Sequence, residues 1–200
     1  DEVTLITLGP LTNVAVALKV NPLTVRKFRA VVAMGGAIGV PGNISPVAEF
    51  NMYVDPHAAH RVFHASLPLT LVPLDVTTRV GVTRAGLEAW VAGSPHPIGR
   101  LLTDMTSKAF DFAEQVEGHG FLYFHDPVAI LSAIDASLMK TEPLHVDIEM
   151  VGRVSRGATV ADRRSRKPEE RATPNMHVAV DIDADRAVHL LRNRLCPWSS

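Results

Sequence analysis

The sequence contains little that points to a secreted, membrane-spanning or nucleic-acid-binding protein. Cys196 is the one cysteine among 200 residues, so no intrachain disulfide can form, and a reducing, cytoplasmic compartment is expected. No apolar run reaches the roughly 18 residues that span a bilayer, so no membrane association is expected. The formal net charge of −1 provides no basic footprint for nucleic acid.

Several signatures of catalysis and phosphate binding are absent as well. The sequence has no G-x-x-x-x-G-K-[ST] or G-x-G-x-x-G loop, which argues against a general phosphate-binding enzyme. It also has no HExxH segment and no internal repeat. Hydrophobic residues make up 46% and charged residues 20%, which is ordinary for a globular domain with a sizeable core. We expect residues 1–200 to form a single domain.

What the sequence does contain is an alternation of apolar strands and amphipathic helices. Asp55-Pro56 and Asp126-Pro127 mark helix starts, because aspartate accepts free backbone N–H groups and proline needs no donor there. The alternation predicts an α/β fold with a mostly parallel open sheet and flanking helices. Strands are predicted at residues 3–8, 30–34, 69–73, 144–150 and 176–181, and helices at residues 11–20, 55–65, 83–91, 98–114, 126–134 and 184–195.

A polar loop, "GNISPVAEFN" at residues 42–51, follows the second predicted strand without a helix or strand pattern of its own. Ligands of parallel sheets bind beyond the carboxyl ends of the strands, so this loop is predicted to line a binding site. Asn43, Glu49 and Asn51 can hydrogen-bond to vicinal hydroxyls. Each hydroxyl donates one hydrogen bond and accepts two, and amide and carboxylate groups supply both kinds of partner. The alternative is that these side chains only tie the loop to its own backbone.

A second candidate site is the pair His125-Asp126 in "FLYFHDP". It combines a group that exchanges protons near neutral pH with a hard oxygen ligand. The alternative interpretation makes Asp126 the helix N-cap and leaves His125 without a role. Residues 116–124 before it are predicted to form a mobile loop, from which His119 could contact a ligand.

The remaining histidines and charges carry weaker signals. His57, His60 and His64 share one predicted helix, and two histidines at i, i+4 can bind zinc. Because no third ligand is evident, a solvated or packing face is expected instead. Asp75 is a candidate turn or supporting residue after the third strand. His96 has no assigned role, and the charged stretch at residues 162–171 is expected to be a solvated loop.

Together these residues resemble the nucleoside hydrolase family, the inosine–uridine-preferring N-ribohydrolases. The resemblance rests on "TLITLGPLTNVAVAL", "VVAMGGAIGVPGNISPVAEFNMYVDPHAA", "LPLTLVPLDVT" and "FHDPVAIL", and it covers nearly the whole chain. It implies a nucleoside substrate and hydrolysis of the N-glycosidic bond to ribose and free base. It also implies a homo-oligomer, since family members are usually dimers or tetramers.

The resemblance also implies roles for individual residues. One Ca²⁺ would be held by the Asp126 carboxylate and the backbone carbonyl of Leu8. His125 matches the histidine that protonates or stabilises the departing base. The residues expected to contact the sugar are Asn43, Glu49 and Asn51 at its hydroxyls, Phe50 at its wall and Met34 beneath it.

One departure from the family pattern is large. The family's aspartate cluster D-x-D-x-x-x-D-D, which would supply the general base and further calcium ligands, does not occur in these 200 residues. We therefore expect the chain to be the carboxyl-terminal two-thirds of a nucleoside hydrolase domain, without the first strands of the sheet and incomplete for catalysis. The alternative function is a non-catalytic nucleoside- or ribose-binding protein. An exposed edge at residues 3–8 or a neighbouring strand would favour self-association.

Overall fold

A computed structural model describes residues 2–95, 97–116, 118–164, 167 and 172–198. His96 and residues 165, 166 and 168–171 of the charged stretch lie outside the described residues. In the described part of the chain the strands are β1 (Thr4–Thr7), β2 (Ala30–Met34), β3 (Leu69–Val72), β4 (Gly81–Thr83), β5 (Phe121–Tyr123), β6 (Met139–Leu144), β7 (Val146–Ile148), β8 (Thr159–Ala161) and β9 (Met176–Ile182).

The helices flank these strands in sequence. None of those in the described residues combines the length and apolar character that crossing a membrane requires. They are α1 (Thr12–Val20), α2 (Pro22–Val25), α3 (Phe50–Val54), α4 (Pro56–Phe63), α5 (Leu74–Thr77), α6 (Arg84–Val91), α7 (Pro97–Gln115), α8 (His125–Ile134) and α9 (Ala184–Leu195), with a 3₁₀ turn at Ala136–Leu138.

The central sheet has five strands in the order β1-β2-β3-β9-β6. The first four run parallel, and β6 pairs antiparallel with β9. This confirms the predicted α/β fold with a mostly parallel sheet. Within the described residues β1 is an edge strand. Two small antiparallel pairs, β4–β5 and β7–β8, lie outside this sheet.

Helices cover both faces of the sheet, and β2 shows how the sequence permits this. Val31 and Ala33 face a core that includes α1 and α4, while Val32 and Met34 face a second core that includes α8 and α9. Because both faces are covered, the strand is apolar throughout rather than alternating. A third, smaller core lies among α6, α7 and the β4–β5 pair.

Local signals account for most helix starts. The Asp55 side chain accepts a 3.0 Å hydrogen bond from the amide of Ala58, and Pro56 is the first residue of α4. The Thr83 hydroxyl caps α6 through the amide of Gly86. Asp126 is different: α8 starts one residue earlier, and no side chain caps it. The interpretation of Asp126 as an N-cap is therefore wrong, and its carboxylate is available for another role.

Three segments depart from the sequence prediction. In the segment predicted to be a loop, Phe121–Tyr123 form β5 and pair with β4, a long-range contact that local composition does not reveal. The predicted strand at residues 144–150 divides into the end of β6 and all of β7. β6 escaped detection because this edge strand is largely exposed, so it lacks an apolar run. The polar loop ends in a short helix, α3, which begins at Phe50 and continues past the loop to Val54.

Candidate active site

Glu49 is the buried centre of the site that the polar loop forms. Its side chain is 2% exposed, and its carboxylate accepts hydrogen bonds from three backbone amides. Those of Gly36 and Met52 reach Oε2 at 3.0 and 3.2 Å, and that of Asn51 reaches Oε1 at 2.9 Å. Two of these bonds cap α3, which explains why a helix can begin here without a serine or threonine.

Asn51 connects α3 to the ends of two strands. Its Nδ2 donates to the Met34 carbonyl at 3.2 Å and to the Leu8 carbonyl at 3.4 Å, and it lies 3.5 Å from the Met34 sulfur. Asn51 and Met34 are both buried, with 5% and 2% exposure. Leu8 directly follows β1 and Met34 ends β2, so these residues meet at the carboxyl edge of the sheet, as the topology predicts.

Asn43 and Phe50 form the outer part of the same loop. Oδ1 of Asn43 accepts a 2.9 Å hydrogen bond from the amide of Phe50, and the Phe50 ring is 49% exposed. Ala48 forms an isolated β-bridge with Ala158, which fastens the loop to the segment before β8. Asn43 and Glu49 both accept hydrogen bonds from the backbone of the loop, as in the alternative interpretation that these side chains tie the loop to itself. Those bonds also hold the polar groups at the edge of the sheet.

Asp126 lies close enough to Glu49 for the two carboxylates to interact. Burial raises the pKa of Glu49, the three amide donors lower it, and the charge of Asp126 raises it further, for a net increase. Burial also raises the pKa of Asp126, and none of the described residues donates a hydrogen bond to its carboxylate. Two part-desolvated carboxylates without a cation between them are a costly arrangement. A cation bound near both carboxylates would reduce their mutual repulsion.

His125 is half-buried beside α5 at the same edge. Its Nδ1 lies 2.7 Å from the hydroxyl of Thr77, and its ring centroid is 5.9 Å from that of Tyr123. Burial lowers the pKa of His125, so the imidazole is neutral at pH 7. When the Thr77 hydroxyl donates to Nδ1, the ring carries its proton on Nε2 and can donate it as a hydrogen bond.

Two residues that support this geometry were missed or only weakly indicated by the sequence. Asp75 holds the turn after β2, because its two carboxylate oxygens accept from the amides of Gly39 at 2.7 Å and Ile38 at 2.9 Å. Thr77, which is fully buried, had no signal beyond its position after the third predicted strand. The rings of His119 and Tyr123 lie 5.2 Å apart, which places His119 beside the residue that contacts His125.

A conformational requirement at Gly36 yields a stability prediction. Gly36 has φ +84°, and a Cβ there would lie 2.9 Å from the Thr159 hydroxyl. Gly36→Ala is expected to cost about 1–3 kcal/mol in the free energy of unfolding, measured by urea denaturation. Gly9→Ala is the control, because no atom lies within 4 Å of its Cβ position and its cost should stay within about 0.5 kcal/mol. Equal stability of the two variants would contradict the assigned backbone conformation.

With this geometry established, comparison with known proteins identifies the family. The sequence matches the family described as inosine-uridine preferring nucleoside hydrolase over residues 1–189. The chain belongs to this family. The resemblance noted in the sequence is therefore confirmed, while the roles of the individual site residues stay predictions.

Family relatives resemble the chain in sequence and in structure. It is 37% identical over 205 residues to a pyrimidine-specific ribonucleoside hydrolase RihA from Enterobacter sp. (strain 638), covering 100% of this chain and 62% of that protein. It is 38% identical over 186 residues to an inosine-uridine preferring nucleoside hydrolase from Leishmania major, covering 92% and 57%. The solved plant nucleoside hydrolase PpNRh1 superimposes with a TM-score of 0.88 at 31% identity, covering 98% of this chain and 62% of the plant protein. The chain thus spans about three-fifths of the length of these nucleoside hydrolases.

A separate group of possible metal ligands lies outside this edge. His60, His64 and Asp147 bring three ligand atoms within 4.8 Å of one another. The sequence offered no third ligand for the two histidines, and a solvated or packing face was expected for them. Asp147 went unnoticed because it belongs to β7, more than 80 residues further along the chain.

Proposed function

We propose that this nucleoside hydrolase cleaves the N-glycosidic bond of ribonucleosides and releases ribose and the free base. The observation that carries the proposal is the convergence of Glu49, Asn51 and Asp126 at the carboxyl edge of the parallel sheet, in a chain that belongs to this family. N-glycosidic hydrolysis develops positive charge on the ribose and negative charge on the leaving base. Carboxylates near the sugar and a proton donor near the base therefore favour its transition state.

The polar side chains of Asn43, Glu49 and Asn51, together called the sugar cradle below, are suited to binding the sugar of the substrate. We propose that Asn43, Glu49 and Asn51 hydrogen-bond the ribose hydroxyls, since amide and carboxylate groups together supply donors and acceptors. Burial of Glu49 and Asn51 supports this, because desolvated polar partners strengthen such bonds. The half-exposed Phe50 ring would form the wall of the sugar pocket, and Met34 would pack beneath it.

A cation would complete the charge balance of the cradle. Ca²⁺ prefers about six to eight oxygen ligands. The Asp126 carboxylate, which lacks a donor among the described residues, and the Leu8 carbonyl, which receives only a long bond from Asn51, suit two of these positions. The others would come from the substrate, from water and from the D-x-D-x-x-x-D-D cluster that these 200 residues do not contain. We propose that Asp126 and the Leu8 carbonyl hold this ion. When bound, Ca²⁺ would orient the ribose diol and acidify a water molecule. Asp126 and Glu49 would then be neutralised by the ion rather than repel each other.

His125 would act at the other end of the scissile bond. Thr77 fixes the imidazole through Nδ1 and leaves Nε2 for the departing base. A proton or hydrogen bond supplied at that atom stabilises the negative charge that the base acquires. Neighbouring rings of Tyr123 and His119 provide an aromatic surface that suits a planar base.

A direct assay tests the proposal. Incubate the purified protein with inosine or uridine in Ca²⁺, and quantify reducing sugar over time. Turnover that is lost in EDTA and restored by Ca²⁺ is expected for the nucleoside hydrolase. Asp126→Asn should abolish the Ca²⁺ response, whereas Asp104→Asn, on exposed α7, should retain it. Calcium-independent turnover would remove Asp126 and Leu8 from their proposed role.

A second candidate is nucleoside or ribose binding without turnover. It applies to the 200 residues acting alone, because they contain Asn43, Glu49 and Asn51 but not the D-x-D-x-x-x-D-D cluster that would supply the general base. Titration calorimetry with inosine and with ribose separates the two functions. Heat of binding with inosine and with ribose, without release of reducing sugar from inosine, supports the binding protein. Release of reducing sugar from inosine supports the hydrolase.

For a chain of these 200 residues alone, we propose self-association at the edge strand β1. Within the described residues this strand has no neighbour on its outer side, and Val3 beside it is 62% exposed. Unpaired strand edges with apolar flanks pair readily with a second copy. Light scattering is expected to show a homo-oligomer, and Val3→Lys should shift it toward the monomer, because a charge on the edge opposes pairing. A wild-type monomer would contradict this.

The single, buried Cys196 supports the further proposal of a cytoplasmic location.

A further inference from the structure

The carboxyl-terminal end of α4 carries a side-chain cluster that the proposed hydrolase site does not use. His60 and His64 lie one helical turn apart, and both face Asp147 of β7. Nδ1 of His60 is 2.9 Å and Nε2 of His64 is 3.3 Å from the same oxygen, Oδ1 of Asp147. The two imidazole centroids are 4.3 Å apart. All three side chains remain between 34% and 49% exposed, so an ion from solvent can reach them.

The fold separates this cluster from the sugar cradle. α4 ends at Phe63, and only a short connection leads from it into the amino end of β3. The cradle lies beyond the opposite, carboxyl ends of β1 and β2. An ion at His60 and His64 would therefore contact neither Asp126 nor Glu49, and it would be independent of the proposed hydrolysis.

The spacing of the ligand atoms suits a small transition-metal ion. A tetrahedral zinc site with bonds of about 2.0–2.2 Å places its ligand atoms roughly 3.3–3.5 Å apart. The separation of His64 Nε2 from Asp147 Oδ1, 3.3 Å, already has this value. His60 Nδ1 lies 2.9 Å from the same oxygen, and all three ligand atoms lie within 4.8 Å of one another. The ligand chemistry agrees, because imidazole with a carboxylate suits zinc and its neighbours in the periodic table rather than calcium.

Both imidazoles and a backbone amide converge on the carboxylate of Asp147. Oδ1 accepts from the Ile148 amide at 2.8 Å in addition to facing both rings. The carboxylate is thus fixed in place by its own strand, which preorganises it as a ligand.

A further imidazole stands nearby. The His145 ring centroid lies 5.8 Å from that of His64, and Nδ1 of His145 donates a 2.9 Å hydrogen bond to the carbonyl of Thr173. A carbonyl can only accept, so the other ring nitrogen of a neutral His145 keeps its lone pair. A metal-binding histidine generally has its second nitrogen anchored in this way.

We propose that His60, His64 and Asp147 form a binding site for a divalent transition-metal ion of the zinc class. The ion ties the end of α4 to β7, two elements that lie more than 80 residues apart in sequence. Because the unfolded chain does not hold the three ligands together, binding adds directly to the stability of the folded state.

Titration with Zn²⁺ tests the site. Calorimetry of the purified protein, with Ca²⁺ present to fill any oxygen site, is expected to show one Zn²⁺ per chain. Co²⁺ in place of zinc should give the intense visible absorption of a tetrahedral site with nitrogen ligands. Zn²⁺ should also raise the melting temperature by several degrees. Asp147→Asn and His64→Gln should each weaken Zn²⁺ affinity about tenfold or more and remove the rise in melting temperature.

Two controls keep the proposal open to refutation. His57→Gln alters a histidine of the same helix that belongs to no group of possible ligands within the described part of the chain, so its Zn²⁺ affinity should match that of the wild type. Asp126→Asn should likewise retain zinc binding. Because each variant is compared with itself with and without Zn²⁺, an intrinsic loss of stability does not obscure the result. Absence of Zn²⁺ binding to the wild type, or equal binding by Asp147→Asn and the wild type, would overturn the proposal.

Discussion

Replacing His125 with alanine is expected to lower kcat for nucleoside hydrolysis by about 10²–10⁴-fold, the usual contribution of a positioned acid or base. The ring is held by Thr77 and part-buried, so water that fills the space would not reproduce its orientation. KM should change less than kcat, because the interaction strengthens as charge develops on the base. Steady-state kinetics with inosine and uridine measures both constants.

A matched control is available near the amino ends of the parallel strands, opposite the candidate site. His177→Gln changes an exposed histidine of β9 that aligns with Thr70 near the amino end of β3, and its kcat should equal that of the wild type. Thr77→Val should cost less than loss of the ring, because it removes only the orienting hydroxyl. A His125→Ala variant with wild-type kcat would show that the base departs without help from this residue.

The same residue affects the pH dependence of stability in calcium-free buffer. Burial lowers the pKa of His125 in the folded state, so the unfolded chain binds the extra proton first as pH falls. His125 thus contributes stability above about pH 6.5, the ordinary histidine value, and this contribution is lost as pH falls toward the lowered pKa. His125→Gln should flatten that part of the profile, which urea denaturation at several pH values would detect.

Replacing Glu49 with alanine is expected to cost about 3 kcal/mol or more in the free energy of unfolding. The change leaves the buried amides of Gly36, Asn51 and Met52 without their acceptor, and each such loss typically costs about 1–3 kcal/mol. For a protein of this size, the melting temperature should fall by roughly 6–12 °C. Ribose binding and turnover should disappear together.

Glu49→Gln separates the two roles of this side chain. The glutamine oxygen can still accept from the amides of Gly36 and Met52, but its Nε2 cannot accept from the amide of Asn51. The neutral group also removes the burial of a charge and its repulsion by Asp126. We therefore expect a smaller loss of stability than for Glu49→Ala, but the same loss of ribose binding and turnover. Glu88→Ala, at an exposed position of α6, is the control for simple loss of a carboxylate. A Glu49→Ala variant as stable as this control would disprove the capping role.

Elements defined by neighbouring residues were predicted well. The bounds of β2 and α9 agree with the sequence prediction, and the Asp55-Pro56 start of α4 forms the expected cap. Such signals need only a few consecutive residues, because apolar runs and caps act within one element. The position of Asn43, Glu49 and Asn51 could be predicted as well, since they occupy one loop whose place after β2 already implies the carboxyl edge of the sheet, while their role in sugar binding stays a prediction.

Contacts between distant segments could not be predicted in this way. β5 needs β4 as its partner, Thr77 meets His125 across 48 residues, and Asp147 meets His60 across 87 residues. None of these pairs leaves a periodic trace in the sequence, because each arises only when the helices and strands pack together.

The amino-acid sequence by itself thus determined the family and the mostly parallel α/β architecture, and it placed the proposed sugar-binding residues in one loop, since these depend on local order along the chain. Only the tertiary structure decided that Asp126 approaches Glu49 without serving as a cap, and that Asp147 joins the two histidines of α4. The physical reason is range: hydrogen bonding and hydrophobic periodicity are encoded within an element, whereas charge proximity and ligand geometry depend on how the elements pack.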